Sequence, residues 1–337
     1  MTHLKNPDAA RRQITIAGKK AVLSGLNDED PYFRAIGDEP EHQLYSVICR
    51  YLSPDSVAVD IGANIGITSL LLSRHLPNGR VFAFEPSPGV FSVLKDNLHA
   101  NQAENVIPAN CAMGFRAGEM GFADASAFGH LLDEGSMLRA RPSITIPVRT
   151  VDDFVLEAGL DRVDFVKIDV EGFEYDVLRG MERTEREFRP LVYFEFNSWC
   201  QIAYKNQNPR ELLDYALSYF KQVYRFGPNN ELVQLNEENA VDFLYDNLLH
   251  HACVDNLLAT NEPGRLVLSN QWLQESIMRY LEERNQAIGE RNQAMEERDQ
   301  AIEERDQALG EAADIKSSRS WRFTSPLRSV IGLLKAK

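Results

Sequence analysis

Cysteine is scarce, and what there is lies scattered. Four thiols, Cys49, Cys111, Cys200 and Cys253, fall at spacings that form no C-x-x-C pair, which excludes the usual zinc or redox motifs. So few thiols in 337 residues also argue against a disulfide framework and for a reducing compartment. No run of about 18 apolar residues occurs, so no bilayer-spanning helix is expected. Residues 1–12 are polar, and no signal peptide is expected from them. Positive charge is in deficit: 36 Lys and Arg stand against 50 Asp and Glu, for a net −14. Broad, non-specific binding to nucleic acid is therefore not expected. The deficit is uneven, because residues 315–337 hold six bases (Lys316, Arg319, Arg322, Arg328, Lys335, Lys337) and no acid. Neither G-x-G-x-x-G nor G-x-x-x-x-G-K-[ST] is present, so neither a dinucleotide fingerprint nor a P-loop is indicated.

What is present is an alternation of short β-branched runs with helical patterns. The runs are Val57–Ile61, Val81–Phe84, Val106–Pro108, Ile144–Val148, Phe165–Val170 and Leu191–Phe196. Helical spacing covers His42–Leu52, Ile67–His75, Val90–Ala100, Tyr175–Arg189 and Glu211–Phe220. This order predicts an α/β fold with a mainly parallel sheet covered on both faces. Val223–Phe226 and Glu231–Leu235 flank Gly227-Pro228-Asn229-Asn230 and read as an antiparallel hairpin, with Val241–Tyr245 as a further strand. Residues 283–310 are four copies of one seven-residue unit beginning Glu-Arg, predicting a long helix that is a weak coiled coil or a solvated spacer. The division is then an N-terminal extension (1–40), a catalytic unit (41–260), a heptad helix (270–311) and a basic amphipathic tail (315–337).

Four strand ends carry chemistry. Val57-Ala58-Val59-Asp60-Ile61 runs into Gly62-Ala63-Asn64-Ile65-Gly66, an apolar strand ending in an acid and a glycine turn that opens a helix. Glycine lets the backbone turn and lets a ligand come close, and a helix start offers free N–H groups. Glu85 ends the next strand, 25 residues after Asp60, where a carboxylate can accept from both hydroxyls of a ribose. An acid before the turn suits a ligand bearing an ammonium group as well as a ribose, and S-adenosylmethionine fits. A nicotinamide-dependent oxidoreductase and a catalytically silent scaffold are the rival readings. The third strand end, Lys167-Ile168-Asp169-Val170-Glu171-Gly172, and the pair Glu195 and Asn197 place further acids at the same sheet edge. Asp169 and Glu195 could alternatively hold a divalent metal, although clustered histidines are absent; His250 and His251 follow the predicted last strand.

With these residues in view, the chain resembles the FkbM-type S-adenosylmethionine-dependent methyltransferases. The resemblance is carried by VAVDIGANIGITSL (57–70), FAFEPSPGVFSVLKDNLHAN (82–101), RTVDDF (149–154) and FVKIDVEGFEYDVLRG (165–180). It implies the Rossmann-like seven-stranded methyltransferase sheet with a reversed last strand, with which the hairpin near 223–245 is consistent. It also implies that Asp60, Gly62, Asn64 and Gly66 line the methionine end, that Glu85 takes the ribose, and that Asp169 and Glu171 border the transfer site. The base is left open among Asp169, Glu171, Glu195 and a histidine. Such enzymes mostly methylate hydroxyls of sugars and natural products. The string Ser318-Arg319-Ser320-Trp321-Arg322-Phe323 resembles tails of bacterial enzymes that assemble surface polysaccharides. The expected acceptor is accordingly a sugar hydroxyl in a surface polysaccharide or related glycoconjugate. Expected partners are glycan-assembly enzymes, an anionic membrane surface for 315–337, a second copy through 270–311, and no nucleic acid. The expected place is the cytoplasm, at the inner face of the membrane.

Overall fold

In the computed structural model the described residues are 11–262, apart from 28, 39, 125–128, 133–142 and 229, together with isolated positions 266, 289, 293 and 300. The chain falls into two units, Met1–Gln274 and Glu275–Lys337. The heptad segment and the basic tail, and the association expected of them, lie outside the described residues except for those isolated positions. Among the described residues no helix is long and apolar enough to cross a membrane.

The strands are β1 (Arg11–Ile16), β2 (Lys19–Ser24), β3 (Val57–Ile61), β4 (Arg80–Phe84), β5 (Val106–Ala109), β6 (Ala112–Met113), β7 (Gly118–Ala123), β8 (His130–Leu131), β9 (Ser143–Arg149), β10 (Phe165–Ile168), β11 (Leu191–Asn197), β12 (Gln222–Phe226), β13 (Leu232–Gln234) and β14 (Val254–Thr260). The helices are α1 (Pro31–Ala35), α2 (His42–Tyr51), α3 (Ile67–His75), α4 (Pro88–Ala100), α5 (Val151–Glu157), α6 (Glu174–Arg179), α7 (Glu182–Phe188), α8 (Ser198–Lys205), α9 (Pro209–Tyr219) and α10 (Ala240–Leu249).

The main sheet has the order β13-β12-β14-β11-β10-β3-β4-β5. The five strands from β11 to β5 are parallel, whereas β14 runs antiparallel to both β11 and β12. This is the Rossmann-like methyltransferase sheet, with the short β13 added at its edge. All five residues of β3 are buried, as a strand covered on both faces requires. One apolar layer joins α2, α3 and α4 to the sheet through Leu44, Leu70, Val93 and Leu94; the opposite layer joins α5, α6, α9 and α10 through Phe154, Val177, Leu213 and Phe243. Helix starts follow the local chemistry. Ser87 and Thr150 cap α4 and α5 by accepting from Val90 N–H and Asp153 N–H, and Pro88 and Pro209 occupy first-turn positions that need no N–H.

Four expectations are corrected. Val241–Tyr245 is the body of helix α10, not a strand. The hairpin expected near 223–245 is present as β12–β13, but the reversed strand is β14, which enters between β11 and β12. Ile144–Val148 is a strand but belongs to a separate four-stranded sheet, β6-β9-β7-β8. The helix expected over Tyr175–Arg189 is broken into α6 and α7 around Gly180, where a Cβ would fall 2.1 Å from the Gly114 carbonyl oxygen. Residues 11–24, placed by sequence in an extension, form a β1–β2 hairpin whose Ile14, Ile16, Ala21 and Leu23 pack into the α3/α4 layer. Arg74 fastens it by donating to the carbonyls of Ile16, Lys19 and Lys20.

Candidate active site

The strand order reverses between β3 and β10, and a cleft outside the carboxyl ends of parallel strands at such a point is where these sheets take ligands. A cleft of about 550 Å³ lies there, large enough for a nucleoside-sized ligand and a small acceptor. Of the sequence-predicted residues, Gly62, Asn64, Glu85, Asp169, Glu171 and Glu195 line it. Asp60 and Gly66 do not; they stand behind its wall.

The glycine turn is pinned on two sides. Gly62 N–H and Ala63 N–H both donate to the Phe84 carbonyl, at 3.0 and 2.9 Å. Gly62 has φ +78°, and a Cβ there would sit 1.7 Å from the Asp169 carbonyl oxygen. The loop after β3 therefore touches the loop after β10 through backbone alone. Glu85 completes the turn: its two carboxylate oxygens accept from Asn64 N–H and Ser87 N–H, each at 2.9 Å. Burial pushes its carboxyl up to about 7, partly opposed by those two donors. Each oxygen keeps a further acceptor direction.

Asp60 and Lys167 are neighbours across β3 and β10. Asp60 is fully buried and accepts from Ser69 Oγ at 2.6 Å. Lys167 Nζ donates to the Gly62 carbonyl at 3.0 Å and lies 3.1 Å from Asp169 Oδ2 and 3.7 Å from Asp60 Oδ1. Burial disfavours the ammonium charge, but Asp169, Asp60 and Glu41 outweigh it and hold Lys167 above its ordinary range. Burial likewise raises the Asp60 carboxyl, against the pull of Lys167. The pair thus works on the turn from below: Asp60 holds Lys167, and Lys167 holds the Gly62 carbonyl and Asp169.

The other half of the cleft is acidic. Strand β10 ends at Ile168, so Glu171 does not continue the alternation expected from Lys167 and Asp169; it takes φ +55° in the turn before Gly172. Its Oε2 accepts from the Cys200 thiol at 3.0 Å. Burial and the Asp169 charge push Glu171 up to about 7. Burial, with Asp169 and Glu171 next, pushes Glu195 well above the usual carboxylate range. Asn197 links the parts: its Nδ2 donates to Glu195 Oε2 at 3.2 Å, and its Oδ1 caps α8 through Cys200 N–H at 3.1 Å. Glu174 holds the Glu171 turn from beneath, accepting from Val170 N–H and Gly172 N–H, both at 3.1 Å.

Several cleft residues were not found from sequence. His130 on β8 stacks against Tyr204 of α8, ring centroids 3.6 Å apart and 7° from parallel. Trp199 and Cys200 approach from α8, and Tyr32 and Glu41 from the N-terminal side. Only their packing identifies them, since no motif surrounds them. His250 and His251 follow α10 rather than a strand and are not in the cleft lining; His251 Nδ1 faces Asp255 at 2.9 Å. Among the described residues no group of three or more His, Cys, Asp and Glu side chains is placed to hold a metal ion.

Comparison with known proteins gives a consistent result. Residues 60–226 match the sequence model of the family described as Methyltransferase FkbM domain. Methyltransferase 1 of Beauveria bassiana is 29% identical over 147 residues, covering 38% of this chain and 59% of that protein. The 2-O-methyltransferase NoeI of Sinorhizobium fredii is 29% identical over 189 residues, covering 51% and 75%. The hexuronic acid methyltransferase AglP of Haloferax volcanii is 31% identical over 145 residues, covering 42% and 56%. The chain thus spans 56% to 75% of these relatives' lengths. All three are methyltransferases, and the oxidoreductase reading gives way. Residues 60–226, which hold the glycine turn, Glu85 and the acidic half of the cleft, thus form a domain of the FkbM-type methyltransferase family.

Proposed function

We propose that the cleft binds S-adenosylmethionine and that the protein is an O-methyltransferase acting on a sugar hydroxyl of a surface polysaccharide or related glycoconjugate. The observation that carries this reading is the meeting, in one cleft, of the Gly62–Asn64 turn, the Glu85 carboxylate and the acids at the ends of β10 and β11. The residues fit the cofactor. Glu85, with acceptor capacity left after Asn64 and Ser87, would take the two ribose hydroxyls. The turn at Gly62 and Asn64 would hold the methionine end, with Asp60 acting through Lys167 and Gly66 shaping the helix start. When bound, the cofactor supplies an electrophilic methyl group next to a positive sulfur.

The chain's own residues supply position and a place for the proton. A base works best with a pKa near the working pH, and Glu171 at about 7 meets that condition. Its carboxylate, held by the Cys200 thiol, would take the proton of the acceptor hydroxyl. Glu195, whose carboxyl burial also pushes well above the usual range, stands beside it to meet a second hydroxyl, while Asp169, fixed by Lys167, orients the acceptor. Orientation of this kind carries much of the rate in an in-line displacement. The names of NoeI and AglP point to sugar-derived acceptors for those proteins and support the same class here. The experiment is transfer of labelled methyl from S-adenosylmethionine to a panel of glycosides. The expected product is an alkali-stable methyl ether; label found only in nitrogen- or carbon-linked methyl groups would contradict the reading.

A further inference from the structure

The acceptor half of the cleft has a make-up that bears on what it can admit. Trp199, the second residue of α8, lines the cleft yet is 58% exposed. A large aromatic held open at a rim offers a flat apolar surface at small entropic cost. Further in, the stacked His130 and Tyr204 rings form a second flat surface. The carboxyls of Glu171 and Glu195 and the amide of Asn197 line the same cleft. Among the described residues lining the cleft, Lys167 is the only ammonium or guanidinium. It is 6% exposed and already committed to Asp169, Asp60 and the Gly62 carbonyl.

We infer that the acceptor ring is uncharged: a neutral hexosyl unit seated on Trp199, with sugars bearing a carboxylate or phosphate rejected. This rests on the reading of the cleft as a sugar methyl-transfer site. Its basis is separate, namely one exposed aromatic and, among the described residues lining the cleft, no free ammonium or guanidinium to meet an anion. A carboxylate entering the cleft sheds hydration and must be paired to be tolerated; among the described residues lining it, the one ammonium, Lys167, is buried and taken. Hydroxyls have no such requirement, since each can donate to a carboxyl oxygen or accept from the Asn197 amide or a protonated Glu195. Burial first, and neighbouring carboxylates second, raise Glu171 and Glu195 and mark a place already unfavourable to negative charge. The chain would in this respect differ from the relative named a hexuronic acid methyltransferase.

The test uses the full chain, saturated with S-adenosylhomocysteine, and saturation-transfer NMR. The probes are the methyl glycosides of glucose, galactose and mannose, each beside its own hexuronide. At least one neutral glycoside is expected to show transfer to its ring C–H protons, with its hexuronide bound at least about tenfold more weakly. Trp199→Ala should weaken the neutral glycoside about tenfold, and Trp199→Phe should keep most of the binding. Because Trp199 is exposed, both variants leave the core untouched. A hexuronide bound as tightly as its neutral partner overturns the inference; so does unchanged binding in Trp199→Ala, or no binding of any neutral member. Labelled donor in parallel samples separates the two readings. Selective neutral binding without methyl transfer defeats the transfer reading alone, and transfer to a hexuronide defeats only this one.

Discussion

Replacing Lys167 by methionine tests what holds the floor of the cleft. Asp60 is fully buried; its Oδ2 takes the Ser69 hydroxyl, and its Oδ1 accepts no hydrogen bond and has Lys167 Nζ 3.7 Å away. Two unit charges at that range attract by about 4 kcal/mol at an effective dielectric of ~20. Removing one member of a buried pair costs about 3–5 kcal/mol, because the other is left uncompensated. Asp169 is half-exposed and can be solvated in the variant, so Asp60 dominates the loss. Lys167→Met should therefore lose about 3–5 kcal/mol in urea unfolding followed by near-ultraviolet circular dichroism. Adding Asp60→Asn removes the stranded charge and should restore about 2 kcal/mol of that loss, a coupling of the size found for contacting residues. A loss below about 1 kcal/mol, or no recovery in the double variant, would refute the view that Asp60 acts on the turn through Lys167.

Further outcomes follow from the same geometry. Gly62→Ala and Gly18→Ala both place alanine at positive φ, which costs about 1–2 kcal/mol, but only the first drives a Cβ into a backbone oxygen, Gly18 having open space around it. Equal destabilisation of the two would contradict the close approach of the β3 and β10 loops. Glu174 is fully buried and pushed up to about 7, by burial first. The folded state keeps this proton while the unfolded state loses it, so its contribution is complete below about pH 4.5 and fades as pH rises through about 7. Glu174→Gln should flatten that part of the stability profile, by up to about 3 kcal/mol; an unchanged slope between pH 5 and 7 speaks against the shift. Glu171→Gln should lower methyl transfer about 10²–10⁴-fold with cofactor affinity unchanged. The wild-type rate should rise with pH through about 7, and a variant that keeps both rate and profile removes Glu171 as the base. Removing 270–337 should lower the number of chains per particle, read as light-scattering mass divided by chain mass, if the heptads associate; an unchanged number discards that idea.

The central strands and their acids were legible because β3, β4, β10 and β11 are apolar runs with polar residues at their carboxyl ends, a pattern that buried parallel strands impose. Helix α10 was misread for a reason visible in its packing. Val241, Phe243 and Tyr245 favour strands over a five-residue window. The helical period shows only over ten residues, with Ala240, Phe243 and Asn247 buried and Val241, Tyr245, Leu248 and Leu249 exposed. Strand β14 escaped notice because Asp255 and Asn256 interrupt its apolar run, although both lie opposite β11 in the ladder. Ile144–Val148 carried a usable signal: Ile146 and Val148 are buried while Thr145 and Pro147 are exposed, the alternation of a sheet covered on one face. The glycine turn and Glu85 were legible as cleft-lining residues because each follows an apolar strand directly in the sequence. Asp60 was given a direct role because a motif reports adjacency in the chain but not which side of the wall a carboxylate faces. His130, Trp199 and Tyr204 come together only through folding.

Calorimetric titration of S-adenosylhomocysteine into the wild-type chain and Glu85→Gln tests the cofactor assignment most directly. Glutamine cannot accept at both oxygens, and a hydrogen bond to a charged acceptor is worth about 1.5–3 kcal/mol. The account predicts one binding site per chain and an affinity at least about tenfold lower in the variant. No binding to the wild type, or equal affinity in the two, would contradict it.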